Sequence, residues 1–305
     1  MIGAQAITDP PATSFPSTTN TIYSKLRDYF TLTKPEVNLL ILMTTSAGYY
    51  LGSSGPLRVG RLCITLVGTL LVASGTATLN QWMERHYDAR MRRTASRPLV
   101  SGKLTSPEAF WFGLALSAAG GALLAASVNA LSALLAIGTL VSYLLVYTPL
   151  KRRTPLCTLV GAVPGAMPTL IGWAAASGDI GRNAWLLFGV LFLWQFPHFL
   201  AIALMYREDY AAAGFRMLPS FDVDGRFTNA EIVVFAVLLV VLTMMPSVGR
   251  GGSIYFLIMF VAGAFFVYHT AKLAWSGSRR LAGRVVHASV IYLPVVLGTM
   301  MAWKA

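Results

Sequence analysis

The sequence predicts an all-α, polytopic membrane protein, a single bundle of nine transmembrane helices with its N-terminus in the cytoplasm. Three observations predict it. Apolar and aromatic residues make up 55% of the 305 residues and charged residues only 12%, with a mean hydropathy of +0.62, whereas a water-soluble domain carries about twice that share of charge. The apolar residues fall in continuous runs of about 20, the length that crosses hydrocarbon as a helix, and not in the alternating segments of a barrel. The basic residues alternate from loop to loop. With nine spans, all of the 24 lysines and arginines except Arg58, Arg61, Arg182, Arg250 and Lys304 fall on the N-terminal side of the membrane. The positive-inside rule makes that side cytoplasmic, and dropping one span would invert every later loop.

The elements follow in order. Residues 1–21 are rich in Ser, Thr and Pro and have no basic stretch leading into an apolar one, so they read as a flexible tail and not a cleaved signal. Residues 22–305 then form one transmembrane domain. Between Ile22 and Phe30, Ile22, Leu26, Tyr29 and Phe30 share one side and Lys25, Arg27 and Asp28 the other, the pattern of a short helix lying in the interface. Lys34-Pro35 opens the first span. The nine apolar segments are 36–52, 62–82, 108–127, 129–149, 156–176, 184–205, 231–248, 253–275 and 284–303. Gly, Ala and Pro punctuate several of them, as in GAVPGAMPTLIGW at 161–173; small residues let membrane helices approach closely. Cys63 and Cys157 stand alone in apolar segments, without the spacing of a disulfide or zinc framework, and read as small core residues. The net charge of +12 would suggest nucleic acid in a soluble protein. Topogenic loops account for it here, and nucleic acid is excluded as a partner.

The most informative stretch is NQWMERHYDARMRRTASRPL at 80–99. Asn80, Glu84 and Asp88 are spaced i, i+4, i+8 and so share one helical face. Arg93 and Arg97 follow in a run with more positive charge than these three groups could neutralise; a topogenic loop alone would explain the arginines, but not the acidic face in phase with them. Oxygen ligands for a hard divalent cation beside guanidinium groups suit a diphosphate bridged by Mg2+. A second acidic pair, Glu208 and Asp209, ends the sixth span on the same side and offers further metal or diphosphate contacts. A third motif, YTPLKRRTP at 147–155, sets Tyr147 and Lys151 four apart with Arg152 behind them, as further diphosphate contacts; its alternative reading is an interfacial tyrosine with topogenic basic residues. His198 in WQFPHF lies deeper. An ionisable residue within the membrane is a functional candidate by default, although a histidine bonded to a neighbouring helix would read the same. His86, His269 and His287 have no supporting pattern.

These motifs resemble the UbiA-type intramembrane prenyltransferases, whose Asn/Asp-rich motif after helix 2, Tyr-x-x-x-Lys after helix 4 and acidic motif after helix 6 match Asn80, Glu84 and Asp88, then Tyr147 and Lys151, then Glu208 and Asp209. Within that family the wording of LTKPEVNLL at 32–40, DARMRRTASRPLVSGKL at 88–104, LKRRTP at 150–155, WQFPHF at 194–199 and DYAAAGFRMLP at 209–219 is similar to its haem-farnesylating branch. The resemblance implies a magnesium-dependent transfer of farnesyl from farnesyl diphosphate to a vinyl group of haem B, with addition of water, giving haem O and diphosphate. It implies Asn80, Glu84, Asp88, Glu208 and Asp209 as metal-binding residues, and Asn80, Glu84, Asp88, Asp209 and Lys151 as catalytic. Arg93, Arg97, Lys151, Arg152 and Tyr147 would hold the diphosphate, and His198 the haem. It further implies the cytoplasmic (inner) membrane with the active site facing the cytoplasm, and admits haem A synthase or oxidase-assembly proteins as partners. The chain departs from the wider family in having Gln81, Glu84 and His86 where acids are frequent. A prenyltransferase acting on an aromatic quinone precursor is the alternative. Transport is disfavoured because the charges gather at one membrane face and not at the midplane.

Overall fold

The computed structural model describes residues 18–222, 224–245 and 252–304. Most of the tail expected at 1–21 lies outside them. Helix α1 (Thr18–Leu32) is followed by α2 (Pro35–Gly52), α3 (Val59–Asp88), α4 (Ser106–Ser127) and α5 (Ala130–Val141), which passes through a π-helical stretch (Ser142–Tyr147) into α6 (Thr148–Leu150). Then come α7 (Cys157–Ser177), α8 (Arg182–Met205), α9 (Arg207–Ala212), α10 (Leu218–Phe221), α11 (Arg226–Thr243), α12 (Ser253–Ser276) and α13 (Arg279–Ala302). Every regular element among the described residues is helical. Among the described residues eight helices are long and apolar enough to cross a membrane, so the chain is a multi-pass membrane protein. Helix α2 stands where the first span is expected, but Glu36, Asn38, Thr44, Thr45 and Ser46 make it more polar than the other eight. It buries that polarity: Asn38, Thr44 and Thr45 are at most 3% exposed, and Asn38 Nδ2 donates to Ser74 Oγ of α3 at 2.9 Å.

Helix α1 is longer than the interfacial segment expected. Ile22, Tyr23, Leu26 and Phe30 are exposed, while Leu32 packs with Leu104 and Ala109 and Tyr29 meets the Phe112 ring edge-on. Helix α3 also runs six residues past the end of its apolar stretch, so it carries the acidic face onward as one continuous helix. Helix α11 begins five residues before the expected span, because the Asp222 carboxylate accepts the Thr228 N–H at 2.7 Å. Cys63 corrects an expectation: it is exposed on α3, whereas Cys157 is buried.

Close packing rests on small residues. Helix α3 runs along α4 and α2 along α7, with α8 flanked by α7, α11 and α13. A Cβ on Gly172 would lie 2.0 Å from the main-chain oxygen of Thr45, and one on Gly48 2.2 Å from that of Thr169. Neither oxygen can swing aside, so Gly172→Ala must push α7 off α2. Its expected cost is about 1–3 kcal/mol, read as a lower melting midpoint in detergent; an unchanged midpoint would rule out this helix contact. The large core joins α2, α7, α8, α11, α12 and α13. A smaller cluster of Met91, Cys157, Ala203, Ala213, Phe215 and Met217 ties the connections that follow α3, α6 and α8 together at one end of the bundle.

Candidate active site

Helix α3 presents Asn80, Glu84 and Asp88 inward near its C-terminus, 1%, 6% and 1% exposed. Two buried carboxylates are costly unless paired, and each has a cation. Lys151 Nζ, just past α6, donates to both Glu84 oxygens at 3.0 and 3.2 Å. Arg97 binds Asp88 Oδ2, and the Thr94 hydroxyl donates to the Asp88 carbonyl at 2.7 Å, fixing the turn that brings Arg97 back. Asn80 Nδ2 donates to Thr148 Oγ1 at 3.1 Å, while its Oδ1 receives Lys34 Nζ at 3.4 Å.

Lys34, which in the sequence only opens the first span, joins this group. It has φ 52, a left-handed conformation unusual for a residue with a side chain, which aims it at α3 from the break between α1 and α2. Burial, with the Arg97 and Lys151 charges adding, pushes it down to about 7 against the pull of Glu84 and Asp88. Lys151 behaves oppositely: burial works against its charge, but Glu84 and then Tyr147 and Tyr143 more than offset this and hold it well above the ordinary lysine range. Its ammonium lies 4.6 Å from the Tyr147 ring centre, 5.9 Å from Tyr143 and 6.0 Å from Phe215. The π-helical stretch sets Tyr143 and Tyr147 edge-to-face at 4.9 Å, and Gly161 of α7 leaves room for the Tyr147 ring, since a Cβ there would sit 2.4 Å from it.

The second acidic motif reaches this end of the bundle through Asp209, whose Oδ2 accepts the Arg93 main-chain N–H at 3.3 Å. The Arg93 guanidinium donates to Tyr210 OH at 3.3 Å and lies over the Tyr206 ring. Arg152 donates to Tyr87 OH at 2.6 Å. Glu208 is exposed. His198 is joined to α13: its Nδ1 pairs with Ser289 Oγ at 2.7 Å, and its ring stacks on Trp194 at 4.6 Å. The structure therefore gathers Asn80, Glu84, Asp88, Arg97, Tyr147 and Lys151, adds Lys34, sets Arg93, Arg152 and Asp209 at the rim, and places His198 in the packing between α8 and α13.

Among the described residues no three carboxylates, imidazoles or thiols converge on one point, so the acidic face offers two carboxylates and an amide. Magnesium takes one or two carboxylates and leaves its remaining positions to water and phosphate. Asp88 Oδ1 is buried without a hydrogen-bond partner, an acceptor oxygen left open beside the other hard donors, so these residues fit magnesium.

The model of the UbiA prenyltransferase family matches residues 41–293. A protoheme IX farnesyltransferase of Solibacter usitatus (strain Ellin6076) is 47% identical over 286 residues, covering 90% of this chain and 98% of that protein. The chain belongs to the UbiA prenyltransferase family. A protoheme IX farnesyltransferase of Koribacter versatilis (strain Ellin345) is 44% identical, covering 97% of this chain and 98% of that one. Solved structures share the fold. A digeranylgeranylglyceryl phosphate synthase matches with a TM-score of 0.74 at 19% identity over 92% of this chain and 98% of that chain. A UbiA homolog from Archaeoglobus fulgidus, bound to GPP and Mg2+, matches with a TM-score of 0.64 at 16% identity over 90% of this chain and 99% of that one. As a member of this family, the chain folds its acidic α3 face and the connections after α3, α6 and α8 into one polar end of an apolar bundle.

Proposed function

We propose that this protein transfers farnesyl from farnesyl diphosphate to a vinyl group of haem B at the cytoplasmic face of the cytoplasmic (inner) membrane, with addition of water, giving haem O and diphosphate. The observation that carries the reading is the buried Asn80–Glu84–Asp88 face ringed by Lys34, Arg97 and Lys151. The names of the curated relatives supply the acceptor. Asn80, Glu84 and Asp88 would hold magnesium, with Asp209 and Glu208 assisting from the opposite connection. Bound there, the metal would neutralise charge on the diphosphate as it leaves.

The chain's own residues do the rest. The cations are held in reserve on the two carboxylates. As the diphosphate binds, Lys151 and Arg97 exchange a carboxylate partner for a phosphate partner, and magnesium held by Asn80, Glu84 and Asp88 would balance the two carboxylates they release. Lys34, poised near neutral, gains its full charge beside the incoming anion. Arg93 and Arg152 serve as outer phosphate contacts. Breaking the carbon–oxygen bond leaves an allylic cation, which needs a pocket without competing nucleophiles. Tyr143, Tyr147 and Phe215 present ring faces here, and Met91 and Met217 share the small apolar cluster with Phe215. We assign His198 to the haem through Nε2, since Ser289 holds Nδ1. Its neighbour Phe199, 42% exposed, is a flat group that a porphyrin can lie against.

The test is a product assay on purified protein with farnesyl diphosphate and magnesium, offered haem B or a hydroxybenzoate. Farnesylated haem from the first mixture, and none after His198→Ala, is the expected result. Prenylation of the phenol with haem untouched would leave the diphosphate chemistry standing and overturn the acceptor.

A further inference from the structure

Asn80 brings an amide to the acidic face of α3, and an amide can present either its oxygen or its NH2 group. Only the oxygen can hold a hard cation, so the way the side chain lies decides whether Asn80 can bind one. Two neighbours fix it. Lys34 Nζ lies 3.4 Å from Oδ1, and an ammonium can only donate. At the other end of the amide, Thr148 Oγ1 lies 3.1 Å from Nδ2. The single hydroxyl proton of Thr148 goes to the Tyr143 carbonyl at 2.9 Å, so toward Asn80 this oxygen can only accept.

Local sequence puts Thr148 in that position. Pro149 has no N–H to give, and in a regular α-helix its ring would crowd the carbonyl four residues back. The chain widens instead into the π-helical stretch Ser142–Tyr147, a distortion frequent at functional sites. The Thr148 N–H reaches back to the Tyr143 carbonyl, the same oxygen that receives the Thr148 hydroxyl. Both Thr148 and Asn80 are buried, so solvent does not compete for these bonds. A threonine that only satisfied its own helix would have no need to face α3, 68 residues earlier in the chain. Lys34 also feels the charges of Glu84 and Asp88, so the Asn80 oxygen shares its surroundings with both carboxylates.

We propose that Thr148 is a positioning residue, which ties the NH2 end of Asn80 to the π-helical stretch and so presents the Asn80 carbonyl oxygen to the cation. This rests on the reading of Asn80 as a magnesium ligand. Without the Thr148 hydroxyl the amide is free to turn, and its NH2 end would repel a cation. Contacts that orient a ligand from behind in this way are worth about 10–100-fold in metal affinity. The widened helix that carries Tyr143 and Tyr147 is thereby coupled to the metal-binding face through one hydroxyl.

The experiment measures binding of manganese(II), a spectroscopic stand-in for magnesium, by electron paramagnetic resonance. It uses the full-length protein in detergent without prenyl diphosphate, beside the magnesium dependence of product formation. Thr148→Val keeps the shape of the side chain and removes the hydroxyl. It should weaken manganese binding at least about tenfold, and Thr148→Ser should bind like the parent. An Asn80→Asp background separates orientation from packing, because a carboxylate has an oxygen at both ends; there Thr148→Val should cost little. The proposal is overturned if Thr148→Val binds manganese like the parent while Asn80→Ala does not. It is equally overturned if Thr148→Val weakens binding as far in the Asn80→Asp background, the mark of a packing defect. Parental binding by Asn80→Ala would instead remove Asn80 from the ligands, overturning the reading on which the role of Thr148 rests and that role with it.

Discussion

Asp88→Asn is expected to lower kcat/KM for prenyl transfer by about 10³-fold with the bundle still folded. The substitution keeps the shape of the side chain and removes its charge. Asp88 is 1% exposed, with one oxygen on Arg97 and the other unpartnered, so no neighbouring carboxylate can take its place without moving α3. Losing a preorganised group that acts on developing charge typically costs 10²–10³-fold, and weakened metal binding adds to that. The signature is a higher magnesium requirement together with the lower rate, measured as initial velocities across a magnesium titration. Parental rates with an unchanged magnesium dependence would show that the α3 face is not where the metal acts.

Lys151→Met should have the second largest effect, and it should separate stability from chemistry. Lys151 and Glu84 side chains are only 11% and 8% exposed, so removing the lysine strands a buried carboxylate, a change that costs about 3–5 kcal/mol in such pairs. Turnover should fall as well, because the diphosphate loses a cation. Adding Glu84→Gln to Lys151→Met removes the stranded charge. The double variant should recover most of the melting midpoint and none of the activity. If Lys151→Met melts like the parent, the buried pair does not exist in the folded protein. If the double variant regains turnover, Lys151 has no role in handling the leaving group.

Much of this architecture was legible because membrane proteins obey a stringent solvent. Hydrocarbon demands about 20 apolar residues per helix and satisfied backbone groups, so the spans at 62–82 through 284–303 could be placed to within six residues at either end. The i, i+4, i+8 spacing of Asn80, Glu84 and Asp88 was equally legible, since helical periodicity alone puts them on one face. Lys34 was not. In the sequence it is one topogenic basic residue before a proline, and only its left-handed backbone and the return of α2 beside α3 turn it toward Asn80. His198 shows the same limit from the other side: its depth was readable, but its partner Ser289 lies 91 residues away on α13.

The sequence by itself determined that the chain is a membrane bundle with its charge gathered at one end, and that one helix carries an acidic face. Local periodicity and the energetics of burying charge decide both. Tertiary structure alone decided which cation serves which carboxylate. Lys151 could have paired with either acid and Arg97 is one of several nearby arginines; the choice depends on α6 ending beside Glu84 and on the turn at Thr94 folding Arg97 back to Asp88. It likewise decided that Asp88 keeps one oxygen free. An ion pair depends on distances across elements far apart in the chain, and those distances exist only once the helices have packed.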